Sequence, residues 1–153
     1  MHPIATATLF GLQCFHVLFL GLHDWIPLGR LNDVKAVRAA NPAHKLLFGT
    51  LGSLAPFALG LAASAYYLGR SYPHWLIWYL GISYALLFLG ELQAWWIPYF
   101  IRPDSERALR YQAMFGNTHA FLPARNGITP NTLHVALHVM TVATLIVLVV
   151  LIA

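Results

Sequence analysis

The sequence predicts an all-α integral membrane protein: an antiparallel four-helix transmembrane bundle with two cytoplasmic loops that carry short interfacial helices. Composition is the first observation. The 153-residue chain is 59% hydrophobic and only 9% charged, against roughly 25% charged residues in an ordinary globular domain. Hydropathy is the second, because four apolar runs each approach or exceed the ~20 residues that cross a hydrocarbon core. They cover residues 4–23, 46–69, 75–100 and 132–153, and we expect residues 1–153 to form one domain.

The four runs are predicted to be helices because they are continuously apolar, without the alternation of a membrane β-strand. The first run is expected to be a true span and not a secretory signal, since the opening letters MHPIATATLF contain no basic residue. Cys14 is the single cysteine and lies in the middle of this run, so it cannot form an internal disulfide.

Basic residues are distributed unevenly between the predicted loops. Eight of the nine Lys and Arg residues fall in loops 24–45 and 101–131, and the remaining one, Arg70, lies in the short turn. The positive-inside rule therefore predicts that both long loops are cytoplasmic and both termini lie on the opposite side. Topology and attraction to anionic headgroups account for the net charge of +4, so the predicted partner is the lipid bilayer and not nucleic acid. Residues 32–40 and 108–115 are expected to form the short interfacial helices.

Three ionisable side chains from three different spans are predicted to lie at one depth. At a rise of ~1.5 Å per residue, His16, Glu91 and His138 lie ~12–13 Å inside the loop-side boundary, and His134 lies ~6 Å inside it. Each span also carries its polar or small residues at spacings of three, four or seven, which is one face of a helix. We therefore expect these faces to turn inward and to surround a polar pocket that opens towards the loops.

Acid–base chemistry is one use of this cluster. A carboxylate within a bilayer costs at least a few kcal/mol, so Glu91 should be neutral, paired or hydrated. A histidine is the expected partner, because an imidazole can donate to the carboxyl group and can change charge near neutral pH. We predict Glu91, His16 and His138 as the catalytic groups.

Metal binding is a second use. His134 and His138 are related by four residues, a spacing that lets two imidazoles ligate one ion, although no HExxH motif is present. With Glu91 and His16 they would make a three- or four-ligand set for zinc or iron. Haem between two histidines is less favoured, and a site with no cofactor is equally compatible with the sequence. In the purely structural interpretation the histidines only hydrogen-bond the helices together.

The loop side of the bundle is predicted to hold the ligand. Trp95 is expected to line the site, whereas Trp96 is interpreted as an interfacial anchor. The predicted ligand-binding residues are His23, Asp24, Trp95, His119, Arg125 and Asn131.

These observations favour a protein that binds and transforms a small or lipophilic ligand, with enzymatic activity left undecided. A proton or ion route through the same Glu and His cluster is the first alternative. Four spans are few for a monomeric carrier, so that alternative requires a homo-oligomer, for which the small residues between Gly60 and Ser64 offer a packing surface. A haem-binding or non-catalytic subunit of a larger membrane complex is the second alternative.

Overall fold

The computed structural model describes residues 3–152, which are helical over about three-quarters of the chain and contain no β-strand. Four helices are long and apolar enough to span a membrane, as predicted: Ile4–Leu22, Ala43–Tyr66, His74–Phe100 and Thr132–Ile152. In the described range, the α-helices are α1 (Pro3–Leu22), α2 (Val34–Ala40), α3 (Ala43–Tyr66), α4 (His74–Glu91), α5 (Ile97–Phe100), α6 (Ser105–Phe115) and α7 (Thr132–Ile152).

Local capping explains where the loop helices begin. The Asp33 side chain accepts a hydrogen bond from the Ala36 amide at 3.0 Å, and α2 therefore starts after it and not at residue 32. The Asp104 side chain caps the Arg107 amide in the same way at 2.9 Å, so α6 begins three residues before the predicted residue 108. The last residue of the predicted fourth span, Ala153, lies outside the described residues.

A π-helical turn, Leu92–Trp96, separates α4 from α5. The Ile97 amide donates to the Leu92 carbonyl, five residues back, where an α-helix would bond four back. The extra residue changes which side chains face the neighbouring helix from this turn onwards. This irregularity was not predicted from the sequence.

Pro98 removes one helical donor at the end of the π-helical turn, because proline has no amide hydrogen. The oxygens that an amide at this position could have bonded are those of Gln93, five residues back, and Ala94, four residues back. Arg107 on α6 donates to both, at 3.1 Å from Ala94, and the Tyr111 hydroxyl donates to Ala94 at 3.2 Å. The amphipathic helix α6 is thus attached to the spanning helix through the two carbonyls that lie within reach of the missing Pro98 donor.

The long helices pack side by side, with α1 and α4 each contacting both α3 and α7. Gly60 marks the closest approach of α3 and α4, since a β-carbon there would lie 2.8 Å from the Leu80 side chain. Tyr84 and Leu9 are fully buried between the helices. The outer surface is covered by exposed apolar side chains, among them Phe48, Leu59, Trp78, Leu86, Ile146 and Val149.

Candidate functional site

Glu91 lies at the end of α4 and is only 5% exposed. Its Oε1 atom accepts a hydrogen bond from the Thr141 hydroxyl of α7 at 2.7 Å. On the other side of the same hydroxyl, Nε2 of His16 from α1 lies at 3.1 Å. The predicted carboxyl and one of its predicted imidazoles are therefore joined through a threonine hydroxyl, where the sequence suggested a direct pair.

Thr141 was predicted to share the inward helix face of His134 and His138, from which it is seven and three residues away, but it was not among the predicted site residues. A threonine in an apolar helix commonly bonds back to its own helix, and the Leu137 carbonyl does lie 3.1 Å from the hydroxyl. Sequence alone could not show that the hydroxyl also reaches two other helices.

The orientation of His16 is set by its own helix. Nδ1 lies 2.7 Å from the Leu12 carbonyl, and because a carbonyl only accepts, Nδ1 must carry a hydrogen. Nε2 is then the atom that faces Thr141. The edge of the Tyr84 ring packs against the imidazole with centroids 4.9 Å apart, so the ring is held from α4 as well.

His138 faces a different partner from the predicted one. Its Nδ1 lies 3.1 Å from Nε1 of Trp96, and an indole nitrogen can only donate. Nδ1 is therefore the acceptor, and the neutral ring carries its hydrogen on Nε2. The π-helical turn accounts for this contact, since it lets the adjacent Trp95 and Trp96 both reach α7, where Trp95 stacks near His134 at 4.7 Å.

A cleft opens at the loop end of the helices, with a volume of about 260 Å³. We call it the mouth cleft. An adjoining groove of about 280 Å³ shares His23 and Asp24 with it and extends along Thr50 and Ser53 of α3. The polar and aromatic side chains that line the mouth cleft include His23, Asp24, Trp95, Tyr111, Phe115 and His134.

His134 presents one unbonded nitrogen in an aromatic setting. Its Nδ1 lies 2.7 Å from Oδ1 of Asn131, an acceptor, so Nδ1 carries the hydrogen and Nε2 the lone pair. Rings of Trp95, Phe115 and Phe19 surround the imidazole, with centroids 4.7, 5.0 and 6.1 Å away. The predicted ligand-binding residue Asn131 is thus buried behind His134 and orients it.

His23 and Asp24 form a second polar pair in the mouth cleft. The His23 ring donates from Nδ1 to the Phe19 carbonyl at 2.8 Å, and its Nε2 lies 3.3 Å from Oδ1 of Asp24. Burial raises the pKa of the Asp24 carboxyl, and the neighbouring His23 partly opposes that increase.

Two predicted ligand-binding residues lie away from the mouth cleft. Nδ1 of His119 lies 2.7 Å from the Thr132 hydroxyl on an exposed part of the loop. Arg125 lies over the Phe100 ring at 5.3 Å. It begins a tight turn whose two central residues, Asn126 and Gly127, both have positive φ, as a two-residue hairpin turn requires.

The predicted metal ligands are not gathered into one cluster among the described residues. Across residues 3–152, no group of three His, Cys, Asp or Glu side chains is close enough to hold a metal. Both nitrogens of His16 are hydrogen-bonded, and Nδ1 of His138 is occupied by Trp96. Metal and haem binding stay predictions from the sequence.

The fold and the site together define a multi-pass helical membrane protein with a buried polar centre and an adjacent aromatic cleft. Comparisons with known proteins add no closer assignment. No family model matches the chain, and neither a curated protein nor a solved structure matches it.

Proposed function

We propose that the protein is an antiparallel four-helix membrane protein that binds a small or lipophilic ligand in the mouth cleft and transforms it by acid–base chemistry. Support for the helix directions comes from paired contacts that run in opposite order along neighbouring helices. Gln13 of α1 bonds Ser64 near the end of α3, and Trp25, shortly after α1, bonds Thr50 nearer the start of α3. Glu91 of α4 bonds Thr141 of α7, and Trp96 in the following π-helical turn bonds His138, which comes earlier on α7.

The observation that carries the proposal is the unbonded Nε2 of His134, a residue that lines an aromatic cleft. Ligand pockets are mostly apolar and hold a few oriented polar groups, which describes the mouth cleft. The flat rings of Trp95 and Phe115 suit an apolar ligand body, and Nε2 of His134 suits a hydrogen-bond donor on that ligand. The cleft lies at the loop ends of the spanning helices, a position near the membrane surface that suits a lipophilic ligand.

In the proposed chemistry His134 acts as the general base. A proton leaves the ligand and forms a bond to Nε2. The Nδ1 hydrogen stays on the ring and donates to the Asn131 amide oxygen, which stabilises the resulting imidazolium. The negative charge left on the ligand lies beside the His23 ring, whose centroid is 5.7 Å from that of His134.

Binding can be measured with 2-naphthol, which combines a flat apolar body with one O–H donor. In lipid nanodiscs we expect 2-naphthol to quench tryptophan fluorescence saturably, because Trp95 lines the mouth cleft. Trp95→Phe should remove that saturable component. The matched control Trp78→Phe should retain it, since Trp78 is 61% exposed on the outer surface.

His134→Asn tests the base. Asparagine can keep the donor towards Asn131 but lacks the lone pair at Nε2, so we expect affinity for 2-naphthol to fall about fivefold, the equivalent of one hydrogen bond of ~1 kcal/mol. Saturable quenching that survives Trp95→Phe would place the probe elsewhere and contradict the cleft. Unchanged affinity in His134→Asn would contradict the role of His134.

A further inference from the structure

The hydroxyl of Thr141 has two side-chain partners but only one hydrogen to give. Its oxygen lies 2.7 Å from Oε1 of Glu91 and 3.1 Å from Nε2 of His16. A hydroxyl donates once and accepts through its lone pairs. A third neighbour, the Leu137 carbonyl at 3.1 Å, can only accept. One of the two side chains must therefore donate to Thr141 if both contacts are hydrogen bonds, and both must donate if the hydroxyl gives its hydrogen to Leu137.

The tautomer of His16 limits the choices. Its Nδ1 hydrogen is committed to the Leu12 carbonyl, so in the neutral ring Nε2 can only accept. Thr141 then donates to His16, and Glu91 must be protonated and donate to Thr141. In the alternative, a doubly protonated His16 donates to Thr141, and Thr141 donates to an ionised Glu91.

We propose that Glu91, Thr141 and His16 form a proton-sharing triad, which holds one mobile proton and passes it between carboxyl and imidazole through the hydroxyl. In the transfer the Glu91 O–H bond breaks and a new O–H bond forms at Thr141. The original Thr141 O–H bond breaks at the same time, and an Nε2–H bond forms at His16. Glu91 becomes negative and His16 positive, so the net charge of the triad is zero before and after.

The neutral arrangement is the resting one. Oε2 of Glu91 is buried and has no hydrogen-bond partner among residues 3–152. An unpartnered oxygen costs more on a carboxylate than on a carboxylic acid, because the charged group loses more hydration. The ionic arrangement is the higher-energy state that the bridge makes accessible. None of the three residues lines the mouth cleft, so a test of the triad and a test of ligand binding can fail independently.

Infrared and nitrogen-15 spectra of the full-length protein in nanodiscs test the resting state. We expect a C=O stretching band of a protonated carboxyl group that disappears in Glu91→Gln. We also expect His16, assigned by loss of its signals in His16→Gln, to show a protonated Nδ1 and an unprotonated Nε2. An ionised Glu91, or a doubly protonated His16 beside a protonated Glu91, would overturn the proposal.

Substitutions of Thr141 test the bridge. Thr141→Val removes the hydroxyl at similar volume, so the carboxyl band should shift to higher wavenumber and the Nε2 resonance should move towards that of an unbonded nitrogen. Thr141→Ser should restore both. The matched control Thr144→Val should change neither, because that hydroxyl donates only to the Met140 carbonyl at 2.8 Å. Spectra of Thr141→Val identical to those of the parent would refute the bridge.

Glu91→Gln tests whether the proton moves. The glutamine amide can donate to Thr141 and so mimic the neutral acid, but it has no proton to transfer. Exchange broadening of the His16 Nε2 resonance should therefore be present in the parent and absent in Glu91→Gln. If the broadening is absent from the parent, or persists in Glu91→Gln, no transfer takes place between the two groups.

Discussion

At the scale of single residues, the three histidines closest to the buried centre are each fixed through Nδ1 by a partner of known polarity. The Leu12 carbonyl and the Asn131 amide oxygen accept, so they place the hydrogen on Nδ1 of His16 and His134. The Trp96 indole donates, which places the hydrogen of His138 on Nε2. Nε2 is therefore a hydrogen-bond acceptor in His16 and His134 but a donor in His138.

Trp96→Phe tests the assignment at His138. The substitution keeps an aromatic ring but removes the indole N–H, so the Nδ1 acceptor of a 4% exposed histidine loses its partner. We expect a loss of about 1–3 kcal/mol in the free energy of unfolding, the usual cost of an unsatisfied buried polar group, and a change in the nitrogen-15 spectrum of His138. Denaturation in mixed detergent micelles measures the first quantity. Trp78→Phe is the control, and an equal loss there would refute the explanation.

At the scale of elements, the most informative junction is between α6 and the π-helical turn. A helix that contains Pro98 exposes carbonyl oxygens at the end of a span, where unsatisfied polar groups are costly. Arg107 and Tyr111 satisfy those oxygens from a surface helix. Tyr111 and Phe115, on the same helix, also stack on Trp95 with centroids 4.4 and 5.5 Å away, and so close one side of the mouth cleft.

A double-mutant cycle on Pro98 and Arg107 tests this junction. Arg107→Ala should cost about 1.5–3 kcal/mol of unfolding free energy, the range for hydrogen bonds from a charged group. In a Pro98→Ala background the cost should be smaller by at least ~0.5 kcal/mol, because the restored amide can serve one of the freed carbonyls. Thermal unfolding followed by circular dichroism in nanodiscs provides the measurement.

The comparison residue for this cycle is Arg110, which lies over the Tyr111 ring at 5.9 Å. Arg110→Ala should have additive effects with Pro98→Ala, since Arg110 makes no hydrogen bond to the π-helical turn in the described structure. Additivity in the Arg107 cycle as well would show that Pro98 does not create the docking site.

At the scale of the whole molecule, apolar side chains cover the outside and polar side chains lie between the helices. Glu91, Thr141 and Gln13 are all buried, whereas Leu59 and Val149 are well exposed. This distribution is the inverse of that in a water-soluble protein and suits a surface in contact with lipid.

Topology is predicted at this scale. In a Cys14→Ala background, single cysteines introduced at the exposed residues Ser71 and Ser105 should react with a membrane-impermeant maleimide from opposite sides of the membrane. A cysteine at Asn32 should behave like the one at Ser105, because both long loops are expected on the cytoplasmic side. Labelling of intact cells and of inverted vesicles distinguishes the sides. Reaction of Ser71→Cys and Ser105→Cys from one side would contradict the topology.

The spans could be predicted from the sequence because length and hydropathy alone decide them. The polar face predicted for each span also included Glu91 and His16, because a carboxyl group within a bilayer needs polar partners on the side of the helix that faces the bundle. The Thr141 bridge and the Trp96–His138 contact were not predictable. The first depends on the sub-ångström positions of three helices and the second on a π-helical turn. Neither feature produces a periodic pattern in the amino-acid sequence.

The π-helical turn also has a consequence for insertions and deletions. It contains one residue more than the α-helical turn it replaces, so removing one residue between Glu91 and Pro98 would leave a regular α-helix of the same hydropathy. Five residues in π-helical geometry turn through nearly the same angle as four in α-helical geometry, so side chains beyond the cut would keep their directions. Within the turn, Trp95 and Trp96 could no longer both face α7. A homologue shortened by one amino acid here would keep its four spans yet lose one of the two indole contacts with His134 and His138, and a hydropathy plot would not reveal the change.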